Sequence, residues 1–260
     1  VRSDANPHEP RATALSAEGV RGVNFETWEP VYERLLAEFG FDREADERAR
    51  DELAELSEPF DESRLRVVDG ASVAVVGAAP SLADEVDRAA AADYVFAAST
   101  AVDVLCDRGV SVDLMVTDLD KNPETARELT RRGVPVAAHA HGDNRSAIRE
   151  WVPRFRSENV LATTQAAPVG AVVDYGGFTD GDRAAFLADE FGARELKFAG
   201  WQFDDPTVDE TKARKLAWAE RLLGWLERRR GEQFSVLDGR RSAPEPLDEE
   251  GRDFGDETRE

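Results

Sequence analysis

A single cysteine, Cys106, stands in a chain of 260 residues, so no internal disulfide can form and the fold owes nothing to cross-links. It recurs with Val102 and Leu105 at helical spacing and reads as a small buried hydrophobe rather than a nucleophile. Lysine is almost as scarce. Of 33 basic residues only Lys121, Lys197, Lys212 and Lys215 are lysine. No apolar run approaches the ~20 residues of a membrane span. The opening Val1-Arg2-Ser3-Asp4 lacks the basic-then-apolar layout of a secretory signal, and a cytoplasmic protein is the expectation. Internal repeats, G-x-G-x-x-G, the P-loop pattern and H-E-x-x-H are all missing.

What is abundant is carboxylate. The 54 acidic residues give a net charge of −21. Such a surface repels nucleic acid and anionic lipid, so neither is an expected partner. Excess carboxylate with little lysine points to a high-salt cytoplasm, where salt screens self-repulsion. An arginine-biased genome would give a similar ratio. Hydrophobic residues, at 41%, suffice for a substantial core.

Residues 1–26 show no clear period. Thr27 is a candidate cap for a helix in which Val31, Leu35, Leu36 and Phe39 recur, with Gly40 ending it. A charged helix follows over 42–57, its narrow stripe Ala45, Ala49, Leu53 and Leu56. These two form an N-terminal helical extension, 1–65. From 66 to 236 the rhythm alternates. Short β-branched runs occur at Val73–Val76, Tyr94–Ala98, Val112–Val116, Val134–Ala138, Val160–Ala162 and Leu196–Ala199, with a shorter one at Ala171–Val173. Helical patterns separate most of them. The expected fold is therefore α/β, a mostly parallel sheet flanked by helices. A C-terminal helix spans 208–230 with Leu216, Ala219, Leu222, Leu223 and Leu226 buried. Residues 237–260 read as an acidic mobile tail.

Polar or glycine-rich residues follow almost every run, and ligands bind at that edge of an open parallel sheet. Gly77-Ala78-Ala79-Pro80-Ser81-Leu82 suits either a phosphate-holding helix start or a plain strand–helix turn. In Asp118-Leu119-Asp120, residues i and i+2 of an extended segment face one way, so both carboxylates can share a cation. Magnesium takes one or two carboxylates plus phosphate oxygens and water. His139-Ala140-His141-Gly142-Asp143-Asn144 is the densest polar group. Zinc is conceivable there, but a third ligand at recognisable spacing is missing, and magnesium-nucleotide contact fits better. Asp143 could equally cap the next helix. In Gly176-Gly177-Phe178-Thr179-Asp180-Gly181-Asp182-Arg183 the glycines admit a ligand. Phe178 can stack on a ring, Asp180 or Asp182 can bond its edge, and Arg183 can clamp a phosphate. Thr179 could also cap the following helix. Lys212 and Lys215, at i and i+3, can reach phosphates or lie solvated.

Taken together, these motifs and Thr163-Thr164-Gln165, in this order over about 70–215, resemble the archaeal 6-hydroxymethyl-7,8-dihydropterin pyrophosphokinases. Ala79, Ala98-Ser99-Thr100 and Asp174-Tyr175 depart from that family's usual residues. The resemblance implies a thiamin pyrophosphokinase-like fold and transfer of diphosphate from ATP to the pterin hydroxymethyl group, leaving AMP. It places the product in folate or tetrahydromethanopterin synthesis. The implied metal is Mg²⁺ on Asp118 and Asp120, with His139, His141 and Asp143 completing the catalytic group. Gly77, Ser81, Asn144, Lys212 and Lys215 would hold ATP. Thr164, Gln165, Gly177, Phe178, Asp180, Asp182 and Arg183 would hold the pterin. A homo-oligomer is compatible with the sequence. The alternatives are another small alcohol as acceptor, a non-catalytic nucleotide-binding module, and a zinc hydrolase built on His139 and His141.

Overall fold

The computed structural model describes residues 22–241 and residue 247. Over these, six parallel strands form one sheet: β1 (Ser72–Val76), β2 (Tyr94–Ala98), β3 (Leu114–Thr117), β4 (Val136–Ala140), β5 (Val160–Thr164) and β6 (Glu195–Ala199). Their order is β5-β4-β3-β2-β1-β6. The helices are α1 (Phe25–Phe39), α2 (Arg43–Leu56), α3 (Leu82–Ala90), α4 (Ala101–Asp107), α5 (Pro123–Arg131), α6 (Arg145–Trp151), α7 (Asp180–Glu190) and α8 (Glu210–Arg230).

Strand residues alternate between two cores, because successive side chains leave opposite faces. Val73, Val75, Phe96, Val116, Leu161 and Phe198 join α1, α7 and α8 on one face. Ala74, Val76, Ala97, Met115, Ala138 and Ala162 join α2 to α6 on the other. Both faces are thus covered, as a parallel sheet requires. The chain steps from β1 to β5 in one direction with its helices on one side. It then returns along the opposite face through α7 to reach β6.

Several local expectations shift. Asn24, not Thr27, caps α1, its side chain accepting from the Thr27 amide. Gly40 ends that helix at φ +69°, a left-handed conformation that glycine adopts freely. Strands β3 and β4 start two residues later than their apolar runs, so His139 lies inside β4 rather than after it. Ala171–Val173 makes only isolated bridges, folding back on the end of β5. Cys106 is exposed, because α4 turns Ala101, Val102 and Leu105 inward and the next position outward. Leu216 is half-buried, and the larger Trp218 takes its place in the core.

No helix among the described residues is long and apolar enough to cross a membrane. Of the expected C-terminal tail, 237–260, Leu237 ends a 3-10 turn that starts at Ser235, and Leu247 is fully buried. The remaining tail residues, 242–246 and 248–260, lie outside the described residues, as does most of the 1–26 stretch.

Candidate active site

A cavity of about 400 Å³ opens over the C-terminal ends of β3, β4 and β5. Asp118, Asp120, His141, Asp143, Gln165, Phe178, Asp180, Arg183, Lys212 and Lys215 line it, and all ten were expected from the sequence.

Two carboxylates meet at its floor by a turn rather than by an extended segment. Leu119 sits at φ +66° with its side chain buried in the core. A bulky residue held there costs on the order of 1–3 kcal/mol, which its burial offsets. The Thr117 hydroxyl accepts from the Leu119 amide at 3.0 Å, and Asp118 accepts from the Asp120 amide at 3.2 Å. Burial opposes ionisation at Asp118, but hydrogen bonds from His141 and Asp120 hold it well below the usual carboxylate range. Burial and the Asp118 charge push Asp120 up to about 6. Each carboxylate thus opposes ionisation of the other, a repulsion that a cation placed between them would relieve.

The following loop divides its labour. Asn144 is fully engaged. Its amide nitrogen donates to the carbonyls of Asp118 and His139, both at 2.7 Å, and its oxygen accepts from the His141 amide at 3.0 Å. It ties the ends of β3 and β4 together. His139 is buried behind this staple, its Nδ1 on the Thr163 hydroxyl at 3.1 Å. Burial, with Arg183 nearby, keeps its imidazole well below its ordinary pKa. His141 reaches the cavity instead, its Nε2 3.6 Å from Asp118. The two imidazole centres are 6.4 Å apart, and of the two only His141 lines the space. Among the described residues no group of three or more His, Cys, Asp or Glu has a metal-holding arrangement.

On the opposite wall, Gly177 at φ +91° lets the backbone press against Arg183, where a Cβ would meet the Arg183 Cα at 2.7 Å. Asp182 is fully buried and accepts from the amides of Phe178 and Thr179 and from the Thr179 hydroxyl. It caps α7 and does not line the cavity. Asp180 does, paired to Arg183 at 3.3 Å. Burial and the nearby Asp118 push its carboxyl up to about 8. Thr164 is buried, its hydroxyl accepting from the Ala166 amide.

Gly77 and Ser81 do not line this cavity. The Gly77 and Ala79 amides donate to the carbonyls of Ala199 and Gly200 at 2.9 and 3.0 Å, which joins this turn to the end of β6.

Sequence reading missed one wall. Gly40, Phe41, Asp42, Ala45 and Asp46, from the α1–α2 connection and the start of α2, close the cavity. Phe41 stacks on Phe39 at 5.3 Å and lies 6.4 Å from Phe178, with the Lys215 ammonium within 6 Å of both the Phe41 and Phe178 rings. No local pattern marks these residues, because their role depends on where α2 docks. Lys121 was also missed. Its signal was rarity: three of the four lysines in the chain line this one cavity. In a protein of net charge −21, that gathering of cations beside Asp118 and Asp120 suits a metal-bound polyanion.

A family model described as MptE-like 6-hydroxymethylpterin diphosphokinase matches residues 47–207. A 6-hydroxymethyl-7,8-dihydropterin pyrophosphokinase of Methanothermobacter thermautotrophicus is 37% identical over 225 residues, 79% of this chain and 96% of that protein. One of Pyrococcus furiosus is 37% identical over 223 residues, 79% and 95% of the two chains. One of Methanocaldococcus jannaschii is 29% identical over 234 residues, 79% and 96%.

Proposed function

Because the chain belongs to the MptE-like family of 6-hydroxymethylpterin diphosphokinases, we propose that it transfers diphosphate from ATP to 6-hydroxymethyl-7,8-dihydropterin, releasing AMP. The observation that carries this reading is the cavity itself. It sets a carboxylate pair, three lysines and an arginine around one space walled by Phe41 and Phe178. A polyphosphate and a flat ring are the ligands that combination suits.

Asp118 and Asp120 are the residues that would hold Mg²⁺, which when bound neutralises charge on the phosphate oxygens. Lys121, Lys212, Lys215 and Arg183 draw the triphosphate in and orient it. The pterin lies against Phe41 and Phe178, with Asp180 and Gln165 at its polar edge. Its hydroxyl oxygen bonds to the β-phosphorus as the bond from that phosphorus to the AMP oxygen breaks. Such transfer depends on alignment and charge neutralisation more than on covalent help. His141 takes the hydroxyl proton. Its contacts to Asp118 (3.6 Å) and to the Asp143 amide (3.4 Å) are long, which leaves the ring free to turn toward the substrate. In this reading His139 and Asn144 support the loop from behind, and the product feeds folate or tetrahydromethanopterin synthesis.

The test is AMP formation from ATP, Mg²⁺ and the pterin in molar salt, with thiamin as a parallel acceptor. Pterin-dependent AMP is expected. AMP with thiamin alone would redirect the reading to another alcohol. Tight ATP binding with no AMP would make the protein a nucleotide-binding module.

A further inference from the structure

Asp46 is a carboxylate buried to 3% exposure, and each of its contacts leads to a different element. One oxygen accepts from the Gly142 amide at 2.7 Å. The other accepts from the Gln165 side-chain nitrogen at 2.7 Å and from the Tyr32 hydroxyl at 3.0 Å. Gly142 belongs to the turn that carries His141, and it fits only because it is glycine: a Cβ would lie 2.7 Å from the Ala45 Cβ. The bond from Gln165 fixes its amide orientation, turning the carbonyl oxygen to the Arg183 guanidinium at 3.3 Å. Arg183 in turn meets Asp180. A single polarity therefore runs Asp46–Gln165–Arg183–Asp180 across the cavity, with a branch to the His141 turn.

We propose that Asp46 is a positioning residue of this active site, holding the His141 turn and setting the donor–acceptor polarity of Gln165 and Arg183 from the N-terminal helices. The proposal rests on the diphosphotransfer reading of the same cavity. An acceptor-only carboxylate is required at this point, since all three partners donate. In Asp46→Asn one oxygen becomes a donor, and the Gln165 amide must flip to meet it. Its nitrogen then faces the Arg183 donors and that bond is lost.

The expected result is a drop in kcat of at least about tenfold, the scale of a small misplacement of reacting groups. Gln165→Glu alone places two carboxylates together and should fail comparably. The double variant Asp46→Asn with Gln165→Glu restores the polarity. The new amide donates to the new carboxylate, which still accepts from Arg183, and the charge is unchanged. Recovery of kcat and of Gly142 amide protection from hydrogen exchange is expected for the pair. Tyr32→Phe removes only the outer donor and should lower Tm while leaving kcat intact. A double variant no better than either single change overturns the proposal, and so does a Tyr32→Phe variant as inactive as Asp46→Asn. If the single variants do not fold, Tm and Gly142 exchange of the double variant decide on the same terms. If the wild type makes no AMP, the reaction is wrong, and the exchange and Tm cycle still judges the Asp46–Gln165 polarity.

Discussion

At two places along the sheet's C-terminal edge, neighbouring strands send the chain to opposite faces. Between β1 and β6 the loops lead to α3 on one side and toward α8 on the other. Between β4 and β5 they lead to α6 and α7. Such divergence opens a crevice where ligands bind. The first is closed. Gly77 and Ala79 bond to the carbonyls of Ala199 and Gly200, and the Trp201 indole donates to the Val75 carbonyl at 3.0 Å. The second stays open and is roofed by residues of the α1–α2 connection and the start of α2. What separates the two is that the closed crevice bonds loop to loop across itself, whereas the open one keeps a cavity walled by a third element.

The contrast can be broken experimentally. The largest effect is expected in the open crevice. Asp120→Asn removes half of the carboxylate pair and should lower AMP formation by roughly 10²–10³, or about 3–4 kcal/mol of transition-state stabilisation. The fold should persist, because the change also relieves repulsion with Asp118. Full turnover at ordinary Mg²⁺ would remove the metal assignment. In the closed crevice the effect should fall on stability instead. Gly200 sits at φ +70°, and an added Cβ would overlap the Gly77 carbonyl. Gly200→Ala should cost roughly 1–3 kcal/mol in urea unfolding with kcat of the folded protein retained. A loss of kcat without a loss of stability would mean that the closed crevice takes part in catalysis. The smallest change concerns the added wall. Phe41→Ala should raise the KM for pterin about fivefold, near 1 kcal/mol, with the KM for ATP little changed. An effect on ATP alone would assign that wall to the nucleotide.

Much of this was legible in order and little in geometry. The alternation of β-branched runs and helical stripes fixed a parallel sheet with helices on both faces, because one residue's period in a strand or helix is a local property. The runs misplaced the starts of β3 and β4 by two residues, and His139 was thereby read as a loop residue. Asp118 and Asp120 were read as extended neighbours, whereas the left-handed turn at Leu119 presents them. Asn144, Asp182 and Thr164 were read as ligand contacts; in the fold Asp182 and Thr164 bond to backbone of their own loops, and Asn144 bonds to its own loop and to the Asp118 carbonyl. A polar residue after a strand can bond either to a ligand or to its own loop, and spacing does not tell the two apart.

By itself the sequence determined the sheet, the two apolar faces, the acidic surface and which loops carry polar groups. These depend on residue type and period along the chain. Tertiary structure alone decided which crevice stayed open. It placed Asp46 and Phe41 from an N-terminal helical pair beside residues more than 90 positions away, and gathered three of four lysines at one point. Long-range contacts of that kind follow from how helices dock on the sheet, which no short stretch of sequence encodes.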